Sequence, residues 1–134
     1  MPEGQTIVAP APGMVVEAEG SWPNVPQDPN LGLRDDGNRI IIYHGNGLST
    51  FYAHLGDTFY VQPRHRDFAR ERCETVKHGQ TLALSGNTGY MTRGPHLHFQ
   101  FGGFGISRVD PYRDVHDPSS VGWWTKDNDP QGLP

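Results

Sequence analysis

The stretch RIIIYHGNGLSTFYAHL (residues 39–55) predicts the centre of the fold. Its first five residues, 39–43, are rich in β-branched side chains, which favour a strand. Residues 48–55 form a second strand-like run. Between the two runs, the HGNG segment carries the Asn-Gly pair that is typical of a tight β-hairpin turn. The stretch therefore predicts two antiparallel strands joined by a short turn.

Further strand-like segments lie on both sides of this hairpin. Residues 6–18 predict two short strands that pair with each other around a Pro-Gly corner, and residues 76–85 and 95–101 predict two more. The segments 21–37 and 63–74 are interpreted as long surface excursions, the second one charged, solvated and with one or two helical turns. The sequence thus favours an all-β fold, a sandwich or barrel of antiparallel sheets with long loops.

Size and composition limit the possible functions. At 134 residues the chain is long enough for one compact domain. Its formal charge of −4 leaves no basic excess that could neutralise a phosphate backbone, so nucleic acid is not expected as a partner. The single cysteine, Cys73, cannot form an intrachain disulfide, so stability must come from packing or from a metal.

The chain also lacks sequence signals for membranes and export. No segment reaches the eighteen or so apolar residues that a membrane-spanning helix needs. The first residues show no basic region followed by an apolar run, so no signal peptide is expected in this chain. Composition gives no indication of the oligomeric state.

Two strand-like segments carry histidine in apolar surroundings. Because side chains alternate along a strand, His96 and His98 are expected on one face and the apolar residues around them on the other. The same alternation predicts that Tyr52 and His54 share a face. Neutral imidazole is a common metal ligand, and a catalytic zinc needs three protein ligands with a fourth position open. An HxH pair alone is also typical of ordinary surface strands. The flanking residues therefore have to show whether these histidines form a metal site.

These flanks match a known family. The segments YAHL (52–55), VKHGQ (76–80), SGNTG (85–89) and GPHLHF (94–99) resemble, in order and spacing, successive motifs of the lysostaphin-type zinc metalloendopeptidases. The resemblance implies a duplicated-hybrid-motif type of β-fold, with a peptidase core at 1–112 and an irregular tail at 113–134 that packs on it. It also implies Zn²⁺ as cofactor, peptide cross-links of bacterial peptidoglycan as substrate, and a location outside the cytoplasm.

The resemblance assigns roles to the three histidines. In this family one zinc is held by the His and Asp of an H-x-x-x-D motif and by the second His of H-x-H. By resemblance, His98 is that third metal ligand. His54 and His96 then match the catalytic histidines beside the metal-bound water, one accepting a proton and the other stabilising the oxyanion. The resemblance leaves open which of the two does which.

Two of the expected zinc ligands have no counterpart in the sequence. The H-x-x-x-D motif is expected before the strand that begins near Gln5, and none of the seven histidines has an aspartate four residues downstream. We therefore expect a truncated or degenerate member of the family, inactive or incomplete as a peptidase. His44 is interpreted as structural, His65 and His116 as surface residues and His78 as a turn residue.

Three interpretations remain open at this level. The chain could be a fragment of a longer protein whose upstream part supplies the two ligands. It could instead be a non-catalytic module that binds the cell wall or regulates other hydrolases, using 21–37, 63–74 and the Trp123-Trp124 pair. A biotinyl or lipoyl carrier domain also shares the APAPG segment (9–13), but a carrier needs a lysine at an exposed hairpin tip. Neither lysine of this chain has that setting.

Overall fold

The computed structural model describes residues 2–22, 37–89, 96–103 and 106–109. Most of the predicted loop 21–37 and the whole predicted tail 113–134 lie outside these ranges. The strands are β1 (Thr6–Val8), β2 (Gly13–Glu19), β3 (Asn38–Gly45), β4 (Leu48–Phe59), β5 (Thr75–Val76), β6 (Thr81–Ser85), β7 (His98–Gly103) and β8 (Ile106–Val109). A short 3-10 helix spans Arg70–Arg72. Within the described ranges no helix is long and apolar enough to cross a bilayer.

All strand pairings are antiparallel, and the strands form one curled sheet. The order is β1-β6-β4-β3-β2-β5, with β7 paired to β4 and β8 paired to β7. Strand β4 is central because it is 12 residues long and is paired on both edges. One edge pairs with β3, while the other pairs first with β7 and then with β6. The prediction of an all-β, antiparallel fold is confirmed.

The hairpin between β3 and β4 forms where the sequence predicted it. Asn46 and Gly47 lie at its tip with φ of 55° and 77°. Both values fall in the left-handed region that a type I′ turn requires, and Asn and Gly tolerate it best. This turn sets the register of the two strands that form the middle of the sheet.

The two strands predicted within 6–18 form, but the prediction that they pair with each other is wrong. Strand β1 pairs with β6, whereas β2 pairs with β3 and β5. The corner between them is held by Ala9, which is fully buried. Its N–H donates to Gln80 O at 2.9 Å and its carbonyl accepts from Gly79 N at 2.8 Å. These bonds fix the corner to the turn before β6, so it does not close a hairpin.

One face of the sheet buries the hydrophobic core. The core residues come from most of the strands; they are Ile7, Ala9, Val15, Ala18, Ile40, Ile42, Tyr52, Leu55, Val61, Val76, Leu82 and Ala83. Leu97 and Phe99 pack against this cluster from the HxH segment. Because these two side chains point into the core, the histidines between and beside them are left for the opposite face.

The charged segment 63–74 is docked on the sheet, which corrects the expectation of a merely solvated excursion. Arg64 and Ala18 exchange both backbone hydrogen bonds at 2.9 Å. The N–H of Asp67 donates to Val16 O, also at 2.9 Å. The segment therefore satisfies backbone groups of β2 that would otherwise form an open sheet edge. The expected helical turn is present as the 3-10 helix.

Side chains of the segment 63–74 also contact β2 and β3. Arg66 lies 3.2 Å from the Glu17 carboxylate, and the Phe68 ring meets the Tyr43 ring edge-on at 6.3 Å. Within the segment, Arg72 Nε donates to Asp67 at 2.9 Å. This bond, helped by the N–H of Ala69, lowers the pKa of Asp67 to about 2.

The low pKa of Asp67 predicts how stability depends on pH. An unpaired aspartate titrates near 3.9. Since the pKa is lower in the folded state, the contribution of Asp67 is present above about pH 4 and is lost as the pH falls toward 2. In chemical unfolding experiments, the difference between wild type and Asp67→Asn should therefore shrink over this interval. Glu71→Gln is the control, since its 3.8 Å contact with Arg72 is highly exposed and should give a small, nearly constant difference.

The position of the core predicts that truncating a side chain on β6 or on the neighbouring strand β1 lowers the free energy of unfolding by different amounts. Leu82 on β6 is 0% exposed, whereas Val8 on β1 is 45% exposed. Leu82→Ala should lower the free energy of unfolding by roughly 2–5 kcal/mol, because it removes buried methyl groups and leaves a cavity. Val8→Ala should change it by only about 0.5 kcal/mol. Equal losses in denaturant titration would contradict the assignment of the core face.

Candidate functional site

The structure brings the three predicted histidines together on one side of the sheet. The rings of His54 and His96 are 4.6 Å apart between centroids, and those of His54 and His98 are 6.1 Å apart. Phe51 approaches His98 edge-on, also at 6.1 Å. All of these side chains are half-buried. His54 therefore forms the middle of a cluster of imidazoles next to an aromatic ring.

The pairing of β4 with β7 creates this cluster. His98 is the first residue of β7 and lies opposite Ala53, one residue before His54. His96 precedes the strand. Leu97, between the two histidines, packs against the core, so the predicted alternation of the HxH segment is confirmed.

A β-bulge in β4 turns His54 toward the site. Tyr52 lies opposite Ile40 of β3, and Leu55 lies opposite Asn38. Two residues of β4 therefore occupy the space of one residue of β3. His54 is one of these two and has φ of 57°, a left-handed conformation that is rare outside glycine.

The bulge corrects the predicted faces of 51–55. Simple alternation placed Tyr52 and His54 on one face, with Leu55 on the other. In the structure Tyr52 and Leu55 both belong to the core cluster, whereas His54 lies with Phe51 beside His98. The extra residue in the bulge shifts the alternation by one position, so side chains on either side of it no longer follow a single period of two.

The hydrogen bond of the His54 ring defines its tautomer. Its Nδ1 lies 2.7 Å from the carbonyl oxygen of Thr88. Because a carbonyl can only accept, Nδ1 carries the proton in this bond. In the neutral ring Nε2 then holds the lone pair. His54 is thus arranged to accept a proton or bind a cation through Nε2.

His98 has a neighbour on its own strand. Gln100 Nε2 lies 2.6 Å from His98 Nε2, since residues two apart on a strand share a face. In this orientation the amide donates to an unprotonated His98 Nε2. With the amide rotated by half a turn, its oxygen would accept from a protonated Nε2 and leave the lone pair on Nδ1. Gln100 therefore influences which ring nitrogen of His98 can bind a ligand.

Thr88 and Gln100 were not identified as site residues from the sequence. Thr88 lies within the SGNTG motif, which served only to support the resemblance. Its side chain is fully buried, although nothing in its residue type indicates this. The one available signal for Gln100 was its position two residues after His98 on a strand.

Of the other histidines, His44, His65 and His78 lie apart from this cluster, whereas His116 is outside the described residues. His44 Nδ1 donates to Pro12 O at 2.8 Å, and its Nε2 bonds Thr50 Oγ1 at 2.7 Å. The Thr50 hydroxyl in turn contacts the Tyr52 hydroxyl at 2.8 Å, and burial raises the pKa of Tyr52 well above its usual range. This chain of polar groups, which runs from the partly exposed His44 to the buried Tyr52, supports the structural interpretation of His44. His78 lies in the turn before β6, as predicted.

A separate cleft of about 570 Å³ lies where β2 and β4 end. His65 lines it together with Glu19, Asp57 and Phe59. Hydrogen bonds from Ser21 lower the pKa of Glu19, so this carboxylate is ionised at neutral pH. The cleft shares none of its lining residues with the histidine cluster.

The described residues do not form a complete zinc site. Across the described ranges, no group of three or more His, Cys, Asp or Glu side chains is arranged to hold a metal ion. The imidazoles of the cluster are suitable donors, but no described carboxylate joins them. Asp57, three residues after His54, instead lines the separate cleft.

Comparisons with known proteins agree with the fold. The family model described as Peptidase family M23 matches residues 1–111. Over 64 residues the chain is 39% identical to the peptidoglycan DD-endopeptidase ShyA of Vibrio cholerae, covering 48% of this chain and 12% of that protein. Over 111 residues it is 39% identical to the murein hydrolase activator NlpD of Escherichia coli, covering 83% of this chain and 23% of that protein.

Solved structures show the same similarity. LytU aligns with a TM-score of 0.59 and 31% identity over 84% of this chain and 65% of that one. A zinc-containing peptidase from Vibrio cholerae aligns with a TM-score of 0.52 and 27% identity over 75% of this chain and 24% of that one. The chain spans less than a quarter of the length of ShyA and of NlpD. The resemblance to the lysostaphin-type enzymes is confirmed, and the chain belongs to peptidase family M23.

Proposed function

We propose that this domain acts on the peptide cross-links of bacterial peptidoglycan, outside the cytoplasm, as a core of the metalloendopeptidase type at 1–112. The observation that carries the proposal is the cluster of His54, His96 and His98 on one face of the sheet. Three imidazoles beside an aromatic ring form a surface that can bind a peptide and move protons. The names of ShyA, a peptidoglycan endopeptidase, and NlpD, a murein hydrolase activator, support the choice of substrate.

Within this proposal, His54 and His96 are the catalytic pair. The Nδ1–H bond to Thr88 leaves His54 Nε2 as a proton acceptor, which favours His54 as the base. The His96 ring, 4.6 Å away, is then placed to stabilise negative charge that develops on a carbonyl oxygen. His98 is the candidate zinc ligand. A bound zinc would supply Lewis-acid chemistry in a complete family site, but the described residues do not complete one, and no step is assigned to it.

A non-catalytic role is the second candidate. The domain would then bind peptidoglycan or regulate other hydrolases without cleaving a bond itself. Two observations favour it: the described residues hold no complete metal site, and the similarity to the murein hydrolase activator NlpD covers 83% of this chain. The tail 113–134 is proposed to pack on the core in either case.

Metal content separates the two candidates. After purification and dialysis, we expect elemental mass spectrometry to find far less than about one zinc per chain, with the same low value in His98→Ala. This follows from the incomplete ligand set of the described residues. The matched control is His65→Ala, which removes an exposed imidazole that lines the separate cleft. About one zinc in wild type, lost only in His98→Ala, would contradict the expectation and make hydrolysis of purified peptidoglycan the next assay.

Binding to the wall is expected whether or not the chain cleaves it. The domain should co-sediment with purified, insoluble peptidoglycan, and Phe51→Ala should weaken this binding about tenfold through loss of an aromatic contact beside the histidines. Val8→Ala, on an edge strand outside the site, serves as the control and should leave the binding unchanged. Absence of co-sedimentation by folded wild-type protein would rule out the proposed function.

A further inference from the structure

We propose that Asn38 and Thr88 are positioning residues that hold His54 in its bulge and keep the proton on Nδ1. The catalytic meaning of this unit rests on the proposed function, but its effect on the ring does not. The unit consists of Gly37, Asn38 and Thr88, which come from two separate segments of the chain and hold residues 54–56 of β4.

Thr88 is the centre of the unit. It is fully buried, and its hydroxyl donates to Leu55 O at 2.5 Å. The same hydroxyl oxygen accepts the N–H of Asn38 at 2.9 Å. The backbone carbonyl of Thr88 accepts from His54 Nδ1 at 2.7 Å. Thr88 therefore binds the ring of His54, the backbone carbonyl of the next residue and the first residue of β3.

Asn38 holds the backbone of β4 shortly after the bulge. Its side-chain amide donates to Gly56 O at 2.9 Å and to Trp22 O at 2.8 Å. The amide oxygen accepts from Trp22 N at 3.1 Å. Asn38 is 0% exposed, so each of these polar atoms would be costly to bury without its partner. The amide thus connects the part of β4 that follows the bulge to the segment that follows β2.

Gly37 brings the two residues into contact. Its φ is +60°, and a Cβ at this position would lie 2.5 Å from Thr88 C and 2.4 Å from Gly89 N. Only glycine allows so close an approach of the two backbones. The N–H of Asn38 can reach the Thr88 hydroxyl because of this approach.

The unit supplies hydrogen-bond partners that the bulge removes from β4. A bulge leaves β4 without regular ladder bonds at the inserted residue, and a left-handed histidine is itself strained. The carbonyls of Leu55 and Gly56, directly after His54, find their partners in Thr88 and Asn38 instead. Because the Thr88 carbonyl is held in place by these bonds, it can select the Nδ1–H tautomer. Nε2 then stays an acceptor beside His96.

The tautomer can be measured directly. In protein with ¹⁵N-labelled histidine, long-range ¹H–¹⁵N spectra at about pH 9, where imidazole is neutral, distinguish Nδ1–H from Nε2–H forms. His54 signals are assigned with His54→Gln. Wild type should show the Nδ1–H form. Thr88→Val removes the hydroxyl but keeps the shape, and should lower the Nδ1–H to Nε2–H ratio about fivefold, the effect of roughly one hydrogen bond. Thr88→Ser should restore the wild-type ratio.

A second variant tests the contact between Gly37 and Thr88. Gly37→Ala places a methyl group against Thr88 and should lower the same ratio. Gly79→Ala is its matched control, since Gly79 has φ of +80° and open space around its Cβ, so only backbone strain is added. A predominant Nε2–H form in wild type, or an unchanged ratio in folded Thr88→Val or Gly37→Ala, would overturn the proposal. An intact Nδ1–H form in protein that fails to bind peptidoglycan would overturn the proposed function alone.

Discussion

The backbone pairing of β4 on both of its edges is the constraint on which the rest of the structure depends. This strand bonds to β3 on one edge, and to β7 and then β6 on the other. The change of partner occurs next to the bulge at His54. This one irregularity bends β4 locally and places the histidine beside β7. The HxH segment can meet His54 only because β7 bonds the first half of β4.

The two faces of the sheet have different chemistry for this reason. On the core face, aliphatic side chains and Tyr52 exclude water, and a short polar chain through Thr50 and His44 satisfies the Tyr52 hydroxyl. On the other face, half-buried imidazoles stand beside Phe51. The docked segment 63–74 adds the Arg66–Glu17 pair and the contact of Phe68 with Tyr43 at β2 and β3.

Much of the fold and part of the site could be predicted from residue patterns. The hairpin, the short strands and the face of His96 and His98 follow from local rules, because turn geometry and strand alternation involve only near neighbours. The pairing of β1 with β6 could not be predicted in this way. It depends on hydrogen bonds between Ala9 and the turn at Gly79, which are 70 residues apart in the chain.

By itself the sequence determined the all-β class, the central hairpin, the family and the three histidines of the candidate site, because all of these depend on short motifs and their spacing. Only the tertiary structure decided that His54 leaves the face of Tyr52, and that Thr88 holds its ring. Strand periodicity assumes an unbroken ladder, whereas a bulge arises where two strands of unequal local length must pair. The position of the bulge depends on contacts between residues that are distant in the chain. They come from β3, β4 and the segment after β6, and the buried ones stabilise the bulge.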